Sequence, residues 1–198
     1  MPLRVGRAGR IVTTPLLGRA RQLLAEGKVV GLPTDTVYGL ASHLSAQQAL
    51  FKVKGRPAKK AIAVLVGSVA DALQLAVLPP LARELADAHW PGPLTLVLTS
   101  KGSTVDNGPK TVGLRMPDHP LALELLDLCG PLAVTSANRS GHPPARSHLE
   151  AQEIFGERIE LYLPGECPGG VASTVIEALA DSDPKVLRPG PVSLKDGR

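Results

Sequence analysis

Four cations and a set of hydroxyls carry most of the chemistry open to this chain. Lys54 and Arg56 flank a single glycine, Arg115 ends an apolar run, and Arg188 precedes Pro189-Gly190. Arginine offers a planar fork for carboxylate or phosphate, and lysine a compact point charge. Two apolar runs end in polar residues that a stable core does not need. One leads into Pro33-Thr34-Asp35-Thr36-Val37-Tyr38-Gly39, the other into Thr135-Ser136-Ala137-Asn138. Each cluster alone reads as an ordinary turn. Together, cations, hydroxyls and an amide without an obvious nucleophile or histidine base suit phosphate chemistry, where the protein chiefly positions groups and offsets charge. In open α/β sheets such groups collect at strand ends.

Other chemistries lack their motifs. The chain has no G-x-x-x-x-G-K-[ST], no G-x-G-x-x-G, no H-E-x-x-H and no G-x-S-x-G. His43, His89, His119, His142 and His148 are not spaced as metal ligands and read as surface or capping residues. No metal site is predicted. Cys129 and Cys167 form neither a disulfide framework nor a ligand pair. Cys129 reads as a small core residue. Cys167, in a Pro/Gly loop, is expected to be exposed, and a reducing compartment follows as the default.

The 198 residues fit one domain, 1–198. Hydrophobic residues make up 43% and aromatics only 3%, so the core must be built from Leu, Val, Ala and Ile. That composition excludes disorder and coiled coil. The net charge of +4 is a mild surplus compatible with an anionic ligand or RNA. Residues 52–60 hold five basic groups and no acid, as a solvated face or an RNA contact would. Arg4, Arg7 and Arg10 faintly suggest a transit segment, but an apolar signal region is lacking, and no stretch approaches a membrane span.

The elements that must hold these residues alternate. Helical spacing covers residues 16–26, 45–53, 68–76, 79–89, 120–128 and 147–155, with Gly27, Gly55 and Gly130 as stops. Strands are predicted at 29–32, 61–66, 94–99, 111–115, 132–135, 159–163, 173–177 and 185–187, and residues 33–40 are read as a loop. Interleaving of this kind predicts an α/β fold with a mixed sheet.

Seven segments occur in an order that resembles the YrdC/TsaC family of threonylcarbamoyl-AMP synthases. They are Pro33-Thr34-Asp35-Thr36-Val37-Tyr38-Gly39-Leu40, Lys54-Gly55-Arg56-Pro57, Trp90-Pro91-Gly92-Pro93-Leu94-Thr95, Gly113-Leu114-Arg115-Met116-Pro117, Ser136-Ala137-Asn138, Ser173-Thr174-Val175 and Leu187-Arg188-Pro189-Gly190. The resemblance runs from about residue 16 to 192. It implies a single-domain form with a twisted open sheet, flanking helices and a concave, positively charged cavity. It also implies a cytoplasmic nucleotidyltransferase that converts L-threonine, bicarbonate and ATP, with Mg²⁺ on the triphosphate, into threonylcarbamoyl-AMP and pyrophosphate. The product would serve the tRNA threonylcarbamoyl-transferase machinery acting on adenosine 37.

By the same resemblance, Lys54, Arg56, Ser136 and Asn138 handle the nucleotide and carry the catalysis. Thr34 and Arg115 hold threonine, Ser173 contributes from a facing strand, and Tyr38 walls the pocket. Thr111 and Arg188 line the ATP side. The chain departs from some relatives in having the apolar run 61–66 where they carry a histidine, and in ending too soon for the C-terminal domain that some add. The alternatives from the residues are a module binding tRNA or double-stranded RNA, and an inactive paralogue of the same fold.

Overall fold

The computed structural model describes residues 10–55, 62–102, 111–139, 141–180 and 182–194. Helix α1 (Arg10–Ala25) leads into strand β1 (Val30–Leu32) and then β2 (Gly39–His43). Helix α2 (Gln48–Lys54), β3 (Ala63–Leu65), α3 (Val69–Leu75), α4 (Pro80–His89), β4 (Leu94–Thr99) and β5 (Thr111–Arg115) follow. The chain continues through α5 (Pro120–Cys129), β6 (Leu132–Ser136), α6 (His148–Phe155), β7 (Leu161–Tyr162), β8 (Thr174–Glu177) and β9 (Lys185–Arg188).

Local chemistry sets most of the boundaries. Ser68 caps α3 by accepting the Asp71 amide proton at 3.1 Å, and Ser147 caps α6 through Glu150 at 3.2 Å. Pro80 and Pro120 open α4 and α5, where a missing N–H costs nothing. Gly55 ends α2 in the left-handed region, φ 58°, so that its amide can turn back to the last carbonyls.

The described strands form one sheet in the order β7-β1-β2-β6-β3-β5-β4-β8-β9. β1 with β7, β3 with β5, and β4 with β8 pair parallel, and the remaining pairs are antiparallel. The sheet is therefore mixed, as expected. β2 was not expected. Its residues, Gly39-Leu40-Ala41-Ser42-His43, include small, weak strand formers, and only pairing on both sides with β1 and β6 makes them a strand. The helix expected over 45–53 is also divided. His43 Nδ1 accepts the Ser45 amide proton and caps a short 3₁₀ turn at Leu44–Ala46, and α2 begins after it.

The two faces of the sheet differ. Because strand side chains alternate, register assigns each residue to a face. One face carries Leu40, Val64, Leu94, Leu96, Leu98, Val112, Leu114, Ala133 and Ile176. These residues are buried against α2, α3, α4 and α6. The opposite face carries Val30, Leu32, Ala41, Leu65, Leu132 and Val134, packed under α1 and α5. Those two helices cover the β1–β2–β6–β3 end of their face. The rest of that face, from Gly39 of β2 and Val134 and Ser136 of β6 across β3, β5, β4, β8 and β9, forms the floor of a cavity.

Candidate functional site

The cavity holds about 460 Å³, a volume suited to small-molecule ligands. Gly39, Ala63, Leu65, Thr95, Val97, Thr111, Gly113, Arg115, Val134, Ser136, Ser173, Val175 and Arg188 line it, and all share one face by register. Thr34, Thr36 and Val37 close one side from the loop after β1. The site therefore lies on a sheet face rather than only at strand ends. Three rows cross its floor. Val134, Ala63, Gly113 and Val97 make an apolar row. Ser136 and Thr111 lie to one side of it. Arg115, Thr95, Val175 and Arg188 lie to the other.

Arg115 is the most constrained of these groups. It is only 6% exposed. Its Nε donates to the Gly92 carbonyl at 3.0 Å, its Nη1 to Thr36 Oγ1 at 2.7 Å, and its Nη2 to the Asp35 carboxylate. Three of its five N–H groups are thereby used, which leaves two for a ligand. Burial pulls its pKa below the ordinary value while Asp35 opposes the shift, and the guanidinium stays charged. Gly92 belongs to the segment that follows the cis Trp90-Pro91 bond. A side chain at Gly92 would strike the His89 carbonyl at 2.6 Å, so the turn that presents this acceptor needs glycine.

At the neighbouring end of the floor, Arg188 donates to the Ser173 carbonyl at 3.0 and 2.8 Å and to Ser173 Oγ at 3.1 Å. Ser173 Oγ and Thr95 Oγ1 are hydrogen-bonded to each other at 2.8 Å. Partial burial lowers the Arg188 pKa from its ordinary value. The described lining includes no carboxylate.

Lys54 meets the end of β6. Its Nζ donates to the Ser136 carbonyl at 2.6 Å and to Asn138 Oδ1 at 2.8 Å. Ser136 Oγ donates to the same Asn138 oxygen at 2.8 Å, and Asn138 Nδ2 donates to the His142 carbonyl at 2.6 Å. Lysine, serine and asparagine thus form one network beside the cavity, with Ser136 lining it. Arg56 lies outside the described residues. Thr34 lines the cavity, but its hydroxyl donates to the Val37 carbonyl at 2.8 Å and accepts the Thr36 amide proton at 3.2 Å, an arrangement that folds the loop.

Two expectations are corrected. Tyr38 does not line the cavity. Its side chain belongs to the opposite face with Leu40, and its hydroxyl donates to the Leu163 carbonyl at 2.6 Å. Burial raises the pKa of that hydroxyl. Cys167 is buried, not exposed, and the Thr34 amide donates to its sulfur at 3.4 Å. Burial pushes its thiol pKa up, which makes it a poor nucleophile. Residues missed in the sequence include Thr36, Thr95, Asp35 and Gly113. Gly113 had a usable signal, since it lies two residues from both Thr111 and Arg115 on the same strand. Among the described residues no three His, Cys, Asp or Glu side chains gather as they would around a metal ion. No described helix is long and apolar enough to cross a membrane.

Residues 22–190 match the Sua5/YciO/YrdC family, whose description is "Telomere recombination". A Mycobacterium tuberculosis protein, provisionally named a threonylcarbamoyl-AMP synthase, is 44% identical over 177 residues, covering 84% of this chain and 80% of its own length. Threonylcarbamoyl-AMP synthases of Pyrococcus abyssi and Bacillus subtilis are each 40% identical. They cover 89% and 90% of this chain, which spans 54% of the length of each. The crystal structure of P. abyssi Sua5 complexed with L-threonine superposes with a TM-score of 0.84 at 39% identity, over 91% of this chain and 55% of that one. E. coli YciO shares the fold, with a TM-score of 0.80 at 24% identity over 91% of this chain and 92% of its own.

Proposed function

The chain belongs to the Sua5/YciO/YrdC family, and we propose that it is a threonylcarbamoyl-AMP synthase, a nucleotidyltransferase that joins L-threonine, bicarbonate and ATP. The observation that carries this reading is the buried Arg115, with two N–H groups uncommitted, beside a hydroxyl-rich floor that has no described carboxylate.

The amine of threonine and bicarbonate combine to give a carbamate and water. A carbamate oxygen then attacks the α-phosphorus of ATP, the bond to the β-phosphate oxygen breaks, and pyrophosphate leaves. This chain's residues position and neutralise. Arg115 pairs the threonine carboxylate, with Thr34 shaping the loop beside it. Ser173 holds Arg188 toward the floor. Lys54 and Arg56 offset phosphate charge, and Ser136 and Asn138 orient the nucleotide or the carbamate. Thr111 and Arg188 contact the ATP side.

The donor set suits Mg²⁺ carried by the triphosphate, because the floor offers hydroxyl oxygens and the phosphates supply the charge. Bound there, the ion would offset charge on the phosphate oxygens. The product would pass, in the cytoplasm, to the machinery that threonylcarbamoylates adenosine 37 of tRNA.

The test is pyrophosphate release by the purified chain, together with mass-spectrometric detection of threonylcarbamoyl-adenylate. Both are expected only when threonine, bicarbonate, ATP and Mg²⁺ are all present. Release that does not depend on threonine would defeat the reading.

A further inference from the structure

Gly113 occupies the middle of β5, a central strand, on the cavity face. A glycine in a strand interior weakens the strand and needs a reason. Backbone conformation does not supply one, because Gly113 is not among the glycines with positive φ. Packing does not supply one either. A methyl group on Gly113 would stand 3.5 Å from Thr95 Cγ2 and 3.9 Å from Val97 Cγ2, both ordinary contacts. Other glycines of the sheet differ. On Gly39 the same group would meet Val134 Cγ1 at 2.9 Å, and on Gly31 it would meet the rings of Tyr38 and Tyr162 at 2.9 Å. Their neighbours exclude a side chain, and those of Gly113 do not. What a side chain at Gly113 would fill is the cavity itself.

Its place on the floor says which ligand atoms need that space. Gly113 lies two residues from Arg115 on the same face, about 7 Å along the strand. Thr111 follows at the same interval on the other side. On the synthase reading, threonine's carboxylate would sit on Arg115 and the nucleotide toward Thr111, which would put the junction between them over the apolar row of Ala63, Gly113 and Val97.

We propose that the missing side chain of Gly113 keeps the floor clear for the junction of carbamoylated threonine and the α-phosphate. The proposal rests on the synthase reading. A side chain here lifts the junction away from the groups that hold its two ends, so the loss grows with side-chain size.

Gly113→Ala and Gly113→Val are compared with the wild type by pyrophosphate release, thermal melting and calorimetry of ATP in the presence of threonine and bicarbonate. Valine suits a strand better than glycine, so Gly113→Val should melt no lower than the wild type. Its turnover should fall by roughly a hundredfold, the scale of a misplacement of about 1 Å, with alanine losing less. Its ATP affinity should drop about tenfold through overpacking. A valine variant that melts early assigns the glycine to packing and overturns the proposal. One that melts and turns over like the wild type overturns it too. A wild type that releases no pyrophosphate defeats the synthase reading instead. Calorimetry then decides for Gly113, since ATP affinity unchanged by valine overturns the proposal on its own.

Discussion

Arg115 donates to the carboxylate of Asp35, and the same Asp35 oxygen accepts the Asp118 amide proton at 3.0 Å. The pair is nearly dry, with side-chain exposures of 7% and 13%. Asp35 thus ties the loop after β1 to the end of β5 and to the entry of α5. Its removal leaves a buried guanidinium uncompensated, which costs about 3 kcal/mol. For a chain of this length that corresponds to roughly 6–12 °C of melting temperature. Asp35→Ala should show that drop and a raised KM for threonine. Asp35→Glu should recover part of both if the carboxylate acts by holding Arg115. Melting and threonine-dependent pyrophosphate release measure the two effects.

Lys54 tests the opposite end of the site. Its ammonium is held by the Ser136 carbonyl and the Asn138 side chain, where a short or neutral residue cannot substitute. Each charged contact to a phosphate is worth about 1.5–3 kcal/mol, so Lys54→Ala should lower kcat/KM for ATP roughly tenfold or more. The KM for threonine should change much less. Wild-type kinetics in this variant would remove Lys54 from the nucleotide site.

Helices α3, α4, α5 and α6 are legible from caps and spacing, because Ser68, Pro80, Pro120 and Ser147 act within one turn of themselves, whereas α1 begins at Arg10, ahead of the apolar spacing that starts at residue 16. β2 was not, since Gly39-Leu40-Ala41-Ser42-His43 becomes a strand only through long-range pairing. The same limit hid the burial of Cys167, which depends on the loop carrying Thr34 coming to rest on it. Cations and hydroxyls of the candidate site could be picked out by residue type. That Tyr38 points away from Gly39 follows from strand alternation, which the sequence does not reveal because β2 exists only through its pairing with β1 and β6. Asp35 carried no signal of its own as the partner of Arg115, because the two are 80 residues apart.

Tyr38 separates packing from binding. Its hydroxyl satisfies the Leu163 carbonyl at 2.6 Å on the face away from the cavity. Tyr38→Phe keeps the ring and strands that buried acceptor, at a cost of about 1–3 kcal/mol. Denaturant unfolding should report the loss, while KM for threonine and for ATP should stay at wild-type values. A shift of either KM without a stability change would return Tyr38 to the pocket.

His119 makes stability depend on pH. Burial lowers its pKa below the ordinary value of 6.5, and Asp35 and Asp118, the carboxylates acting on it, oppose that shift without overcoming it. Its Nδ1 is buried without a hydrogen-bond partner. The folded state therefore favours the neutral imidazole, and the unfolded chain binds the proton more readily. Between the depressed folded pKa and pH 6.5 the unfolded state holds more protons, so stability falls as pH drops through that window. Above it the contribution is constant. His119→Gln removes the titration, and the difference in unfolding free energy between variant and wild type should shift in the variant's favour as the pH is lowered below 6.5. A difference that stays flat across that range would mean the imidazole titrates alike in both states.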